Sequence, residues 1–252
     1  MYLFYFVCFV AVSLASTASV LPKDFPVCGR KGDKSKIDQC MLETTEKIKS
    51  ILIPGIRKLN FPPLNPLVIP EINLEQGSDS ATYKASVKNV AVFGLENYKF
   101  QKLDFNFEQH KTAAVVDIPG IYIEGLYVIS GKILSAPIEG EGLCKFNISH
   151  VKAVLDVNSK VEKVDGVEYL KHYQYDLKLD IGPVTSHSIE GLFKDNEVLS
   201  KAVKDTLQNN INDLVQTMKP AVEQVITDLF KSVYFKKLDT IPYDILFPPR
   251  EN

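Results

Sequence analysis

Between Asn196 and Tyr234 an apolar residue recurs every three or four positions: Leu199, Val203, Leu207, Ile211, Leu214, Met218, Val222, Val225, Leu229 and Val233. That period is one face of an α-helix, and the polar residues between (Lys204, Asp205, Asn209, Asp213, Glu223, Asp228) form the wet face. Asp195 or Asn196 supplies the N-cap. At 1.5 Å per residue the helix would be about 60 Å long, roughly twice the width of a small domain. An apolar stripe of that length requires an extended cover. Pro220 removes one backbone hydrogen bond and is expected to kink the helix. Beyond it the stripe widens to Ala221, Ile226, Phe230 and Tyr234, so the second half should be wrapped on more than one side.

The sequence N-terminal to this helix offers a cover. From Thr82 to Phe193 the period becomes two. Leu103, Phe105 and Phe107 alternate with charged or polar residues, as do Val167, Tyr169, Tyr173, Tyr175, Leu177, Leu179 and Ile181. Asp165-Gly166 between two such runs signals a tight hairpin. Gly77-Ser78, Gly120, Ser130-Gly131 and Glu141-Gly142 mark further turns, bulges or bends. The expected arrangement is an antiparallel meander, α+β in class, curved around the long helix. Ile138, Cys144, Phe146 and Ile148 share a face, which turns Asn147 of the Asn147-Ile148-Ser149 glycosylation signal outward. The parity then shifts to Val151, Ala153 and Leu155, implying a bulge near His150. Ahead of the strands, Ile37, Met41, Leu42, Ile48, Ile51 and Leu52 make a shorter helix that ends near Pro54-Gly55. Pro62, Pro63, Pro66 and Pro70 then confine the next stretch to edge strand or connector.

Residues 1–18 are uncharged and largely apolar, ending in small residues, which reads as a secretory signal peptide removed together with Cys8. Residues 19–252 form a single domain. Cys28 and Cys40 bracket a short polar loop and are expected to form a disulfide in an oxidising compartment, leaving Cys144 as an inert thiol. A net charge of −2 gives no basic excess for nucleic acid or anionic membrane. No nucleophile elbow, zinc-binding histidine pair or phosphate-binding loop is present. His110, His150, His172 and His187 are scattered and read as surface residues. Glu139 and Glu141, neighbours on one strand face, read as solvated. The chain is therefore not read as an enzyme, and neither cofactor nor metal is expected.

What remains is a large apolar inner surface. Either it is closed by ordinary packing, or the curved sheet leaves an apolar pocket dotted with Tyr hydroxyls. The residues placed to face a ligand are Leu103, Phe105, Phe107, Tyr127, Ile129, Tyr169, Tyr173 and Tyr175 from the strands, with Val203, Leu207, Ile211, Val215, Met218 and Val222 from the helix.

Several segments resemble a known family. These are Cys28 with Cys40, Ile53-Pro54-Gly55-Ile56, Pro63-Leu64-Asn65-Pro66-Leu67-Val68-Ile69-Pro70, Gly125 to Leu134 leading to Pro137-Ile138-Glu139-Gly140-Glu141-Gly142, Glu190-Gly191-Leu192-Phe193, Leu207 to Ile211 and Ile241 to Pro248. Together they resemble the insect juvenile hormone binding proteins and, more closely, the takeout-like proteins. Ile211 stands where takeout-like proteins often carry Trp, and Gly191 where Asn is usual; no cysteine follows Cys144 to make a second disulfide. The resemblance implies the tubular lipid-binding (TULIP-like) fold and a secreted carrier of a hydrophobic small molecule, terpenoid or fatty-acid-like, in an internal tunnel. It implies no nucleic-acid partner and no stable membrane insertion. A secreted protein-interaction factor with a filled tunnel is the alternative.

Overall fold

The structure, a computed structural model, describes residues 21–252 apart from 23, 78–80, 134–135 and 195. The leader expected at residues 1–18 lies outside the described residues.

Helix α1 spans Lys34–Leu52, and its N-cap Asp33 accepts from the backbone N–H of Ser35 and Lys36. The Cys28–Cys40 disulfide ties the preceding loop to this helix; closing so short a loop stabilises the fold by at most about 3 kcal/mol in the chain-entropy description. Nine strands follow: β1 Leu67–Gly77, β2 Ala81–Phe93, β3 Lys99–Asn106, β4 Lys111–Ile118, β5 Ile121–Ile133, β6 Ala136–Ile148, β7 Val151–Val164, β8 Val167–Ile181 and β9 Val184–Ile189. The long helix α2, Glu197–Leu229, runs into a π-helical segment, Phe230–Phe235, then α3 Lys236–Leu238 and, after a turn, α4 Tyr243–Leu246.

The strands form two antiparallel sheets, ordered β1-β2-β5-β6-β9 and β3-β4-β7-β8. Chain order explains the division. Each hairpin (β1-β2, β3-β4, β5-β6, β7-β8) belongs to one sheet, and the chain changes sheet after every second strand. The β6-to-β7 and β8-to-β9 crossings lie side by side, with Ser149 N donating to the Pro183 carbonyl at 3.0 Å and Gly182 N to the His150 carbonyl at 2.9 Å. A Cβ on Gly182 would stand 2.8 Å from the Ser149 hydroxyl and closer still to the His150 ring. The meander therefore holds, but its curvature is concentrated at a seam between two sheets. The parity change after Ile148 is this crossing and not a bulge within one strand.

Asp165 and Gly166 both take positive φ, 50° and 84°, as the two-residue β7-β8 hairpin requires. The proline-punctuated β1 is the edge strand, with no register partner for Pro70. Ser130-Gly131 and Glu141-Gly142 sit inside β5 and β6 and break neither.

Asn196 caps α2, its side chain accepting from Leu199 N at 2.9 Å. The departure from helical geometry falls at Asn210 (φ −125°, ψ 20°) and not at the expected Pro220. The Asn210 side chain donates to the Thr206 carbonyl at 2.7 Å, a local bond that competes with the helical ladder. Three α2 side chains hold the helix across the β8-β9 end of the sheets. Glu223 accepts from Leu179 N (2.8 Å), Asn212 from Val184 N (2.9 Å), and Gln216 donates to the Ile181 carbonyl (3.3 Å). The first of these occupies a backbone donor on the open edge of β8.

The termini meet at the far end. Arg30 pairs with Asp244 at 2.7 Å, lies over the Tyr243 ring at 4.5 Å and donates to the Phe247 carbonyl.

Candidate ligand-binding interior

The inner face of the first sheet and the first half of α2 make one buried cluster. Tyr127 and Ile129 from β5 meet Val203, Leu207, Ile211 and Leu214 from α2, together with Leu74, Tyr83, Ile138, Cys144 and Leu192. Met218 packs at its margin. Five of the anticipated residues thus come together in close packing. Two glycines open a path within it. Gly140 and Gly142 lie on the inner face of β6, between Tyr127 and the chain at Glu190. With no side chain there, the Tyr127 hydroxyl crosses β6 and donates to the Glu190 carbonyl at 2.5 Å. A Cβ on Gly140 would stand 2.9 Å from that hydroxyl. Burial, with the neighbouring Cys144 thiol and Glu190 carboxylate, pushes the Tyr127 phenol up to about 12. Cys144 is a free, buried thiol, donating to the Gly125 carbonyl at 3.4 Å and pushed up by burial.

The second half of α2 is different. Val203, Leu207, Ile211 and Leu214 are its fully buried residues; from Val215 to Tyr234 no side chain is. Val222 and Ile226 pack, half-buried, on the buried cluster of Ile148, Val151, Leu177 and Leu179, as do half-buried Ile118, Ile121, Ile123, Ala153, Leu155 and Ile181. Farther along, Tyr234 meets Phe61 and Phe235 meets Tyr175 ring to ring at 5.0 and 4.9 Å, and Phe230 lies against Tyr234 and Phe235 at 5.5 and 6.4 Å. Val215 is half-buried in neither cluster, because the helix turns its neighbour Leu214 inward.

Several anticipated residues lie elsewhere. Leu103, Phe105 and Phe107 are on β3 of the second sheet, and what covers them is α1 and the C-terminal segment. Phe105 and Phe107 pack against Phe247 at 4.7 and 5.3 Å. They do not face α2, since the clasped termini occupy that face. Tyr173 is 58% exposed. It is the extra residue of a bulge between Asn158↔Gln174 and Ser159↔His172, which reverses the parity of β8. Leu170 (1% exposed) and His172 therefore turn inward, while half-buried Tyr169 bridges to Pro242 beneath the Lys171 ammonium. Tyr175, past the bulge, keeps its inward position against Phe235.

The reading of His172 as a surface residue is overturned for the same reason. Its side chain is 7% exposed, its Nδ1 lies 2.5 Å from Asp239, and its ring packs 4.7 Å from Phe235. Lys171 donates to the Asp239 carbonyl at 2.6 Å and the His172 backbone N–H to the Asp239 carboxylate at 3.3 Å, so three bonds join β8 to the end of α3. Nothing in the alternation of β8 reveals this; only a bulge supplies it.

Two open depressions lie along the strip of β5, β6 and residues 190–196, and Val128, Glu141 and Lys194 line both. The larger is about 400 Å³. Glu141 pairs there with Lys194 at 3.1 Å, on the opposite strand side from Tyr127 and Ile129. Asn147 also faces outward, donating to the Ser186 hydroxyl at 2.7 Å. No helix among the described residues is long and apolar enough to cross a membrane.

The family model described as haemolymph juvenile hormone binding protein (JHBP) matches residues 4–248. Circadian clock-controlled protein daywake of Drosophila yakuba and that of Drosophila melanogaster are each 22% identical over 224 residues, covering 85% of this chain and 85% of the relative. The crystal structure of Epiphyas postvittana Takeout 1 superposes with a TM-score of 0.69 at 18% identity, over 86% of this chain and 96% of that one. The last likeness concerns the fold: a long helix packed on a large antiparallel sheet with a shorter N-terminal helix, as in tubular lipid-binding proteins. The match across nearly the whole length settles the family: this chain belongs to the haemolymph juvenile hormone binding protein (JHBP) family.

Proposed function

We propose that the protein is a secreted carrier of a hydrophobic small molecule, terpenoid or fatty-acid-like, held along the second half of α2. The observation that carries this reading is the change of packing along one helix. Apolar side chains from Met218 to Tyr234 stay half-buried, whereas Val203, Leu207, Ile211 and Leu214 are sealed. Apolar surface left uncovered inside a fold is unfavourable by about 25 cal/mol per Å², and a bound apolar chain removes that cost. On this reading half-buried Tyr175, Met218 and Val222 would touch the ligand, and the buried cluster of Tyr127, Ile129, Val203, Leu207 and Ile211 would close off one end.

The leader-like residues 1–18, the Cys28–Cys40 disulfide and the outward Asn147 support secretion and N-glycosylation. The carrier is not a catalyst on this reading, and its family is one of binding proteins. The sealed first half of α2 favours the second reading, a protein-interaction factor with a filled interior, if the filling extends along the whole helix. Native mass spectrometry of the protein secreted from insect cells separates the two. A co-purified apolar molecule is expected; protein that carries none and binds no added apolar probe would reject the carrier.

A further inference from the structure

The outer face of the first sheet departs from the alternation of a wet strand face. Outward positions of an antiparallel strand are ordinarily polar, and on β5 Glu124 and Ser130 obey that rule. Between them stand Leu126 and Val128, 51% and 55% exposed. Both line the smaller of the two open depressions, about 260 Å³, and Val128 lines the larger as well. Gly191, Phe193, Lys194 and Asn196 wall the larger one. Gly191 and Phe193 take positive φ, 72° and 47°. A phenylalanine holds that conformation only where its surroundings fix it, so the wall has a set shape.

The charges on this face are arranged about Val128. Lys88, on β2, lies opposite Leu126, and Glu139, on β6, lies opposite Ser130. Each is one strand and two residues from Val128, on opposite sides of it. With strands about 4.8 Å apart and about 3.4 Å per residue, each backbone position is about 8 Å away. Both side chains are exposed and line the depressions. Their neighbours are engaged within the chain: Lys84 pairs with Glu75 at 3.0 Å, Lys194 with Glu141 at 3.1 Å, and Glu71 accepts from the Ser86 hydroxyl at 2.9 Å. Lys88 and Glu139 stand outside the ion pairs formed among the described residues. A cation and an anion therefore flank the apolar strip symmetrically.

We propose that two copies of this chain pair through this face. A two-fold axis lying in the face at Val128, perpendicular to the line from Lys88 to Glu139, sets each Lys88 on the partner's Glu139 and brings the two Val128 side chains together. Opposite charges at equal distances make the patch complementary to itself, which selects a second copy over a partner of uniform charge. Asn147 is outward on the same face, six residues from Glu141 and about 20 Å along β6, so a glycan there would flank the contact.

The test is sedimentation velocity of the full-length secreted protein over a concentration series reaching about 1 mM, because the patch spans roughly 500 Å² per copy, less than the roughly 800 Å² of a standard interface. A reversible monomer to dimer equilibrium is expected. The axis duplicates every contact, so Lys88→Glu or Glu139→Lys alone turns two attractions into two repulsions and should weaken pairing at least about tenfold. The double variant opposes unlike charges again and should recover to within about threefold of wild type. Val128→Asp should abolish pairing, and Val164→Asp, at a valine exposed beside the β7-β8 turn, should not. Melting should stay within about 2 °C of wild type in every variant, since these side chains face solvent. A protein that stays monomeric throughout, a dimer that survives Val128→Asp, or a double variant no better than the single ones would overturn the pairing. So would a monomer that binds phosphatidylcholine vesicles through Val128, which would give the face to a lipid surface. The carrier reading stands or falls separately.

Discussion

The contrast between the two halves of α2 can be tested with one indole placed at either of two positions. Ile211 is 6% exposed and touches the buried cluster of Tyr127, Leu207 and Leu214. Trp there exceeds the available volume, and overpacking of a filled site costs about 1–3 kcal/mol. For a domain of this size each kcal/mol lowers the melting temperature by about 2–4 °C, so Ile211→Trp should melt about 2–12 °C lower. Val222 is only half-buried, at the margin of the cluster of Ile148, Val151, Leu177 and Leu179. Trp at that position should enter the uncovered space, shift melting by less than about 2 °C, and weaken an apolar fluorescent probe at least tenfold, about 1.4 kcal/mol. Ile211→Trp, assayed well below its transition, should keep probe affinity within about threefold. Differential scanning fluorimetry and probe titration on the same preparations decide the matter. The reasoning fails if Val222→Trp is the destabilised variant and still binds, or if Ile211→Trp melts normally and has lost the probe.

Tyr127→Phe should lower stability by about 1 kcal/mol in thermal melts, from the lost bond to the Glu190 carbonyl; an unchanged melt would show that the bond across Gly140 and Gly142 contributes nothing. Cys144 is buried with its thiol pushed up, so iodoacetamide at pH 8 should label it only after denaturation, while Cys28 and Cys40 resist without reductant. Rapid native labelling, or a peptide joining Cys144 to either of the others, would contradict that assignment. Asp239→Ala removes the His172 partner from a nearly enclosed site and should cost about 1–3 kcal/mol, read in the same melts.

Much of this architecture was written locally. The 3.6-residue period from Leu199 to Val233 requires α2, the Asn196 cap places its start, and Asp165-Gly166 requires a tight turn because both residues tolerate positive φ. The prolines around β1 keep it at an edge, and the short Cys28–Cys40 spacing suits a local disulfide. These features depend on neighbours within one or two turns of chain. Which face covers which does not. Leu103, Phe105 and Phe107 alternate as an inner strand face must, yet α1 and Phe247 cover them, because Arg30 and Asp244 draw the termini across that sheet. Period two is preserved on either side of Tyr173, so the sequence alone does not disclose the bulge that exposes it and buries His172. The bend of α2 at Asn210 likewise follows a side-chain bond to Thr206, while helical backbone angles continue through Pro220. Alternation states that a face is apolar; only the assembled tertiary structure decides its cover, and how much of it remains open to a ligand.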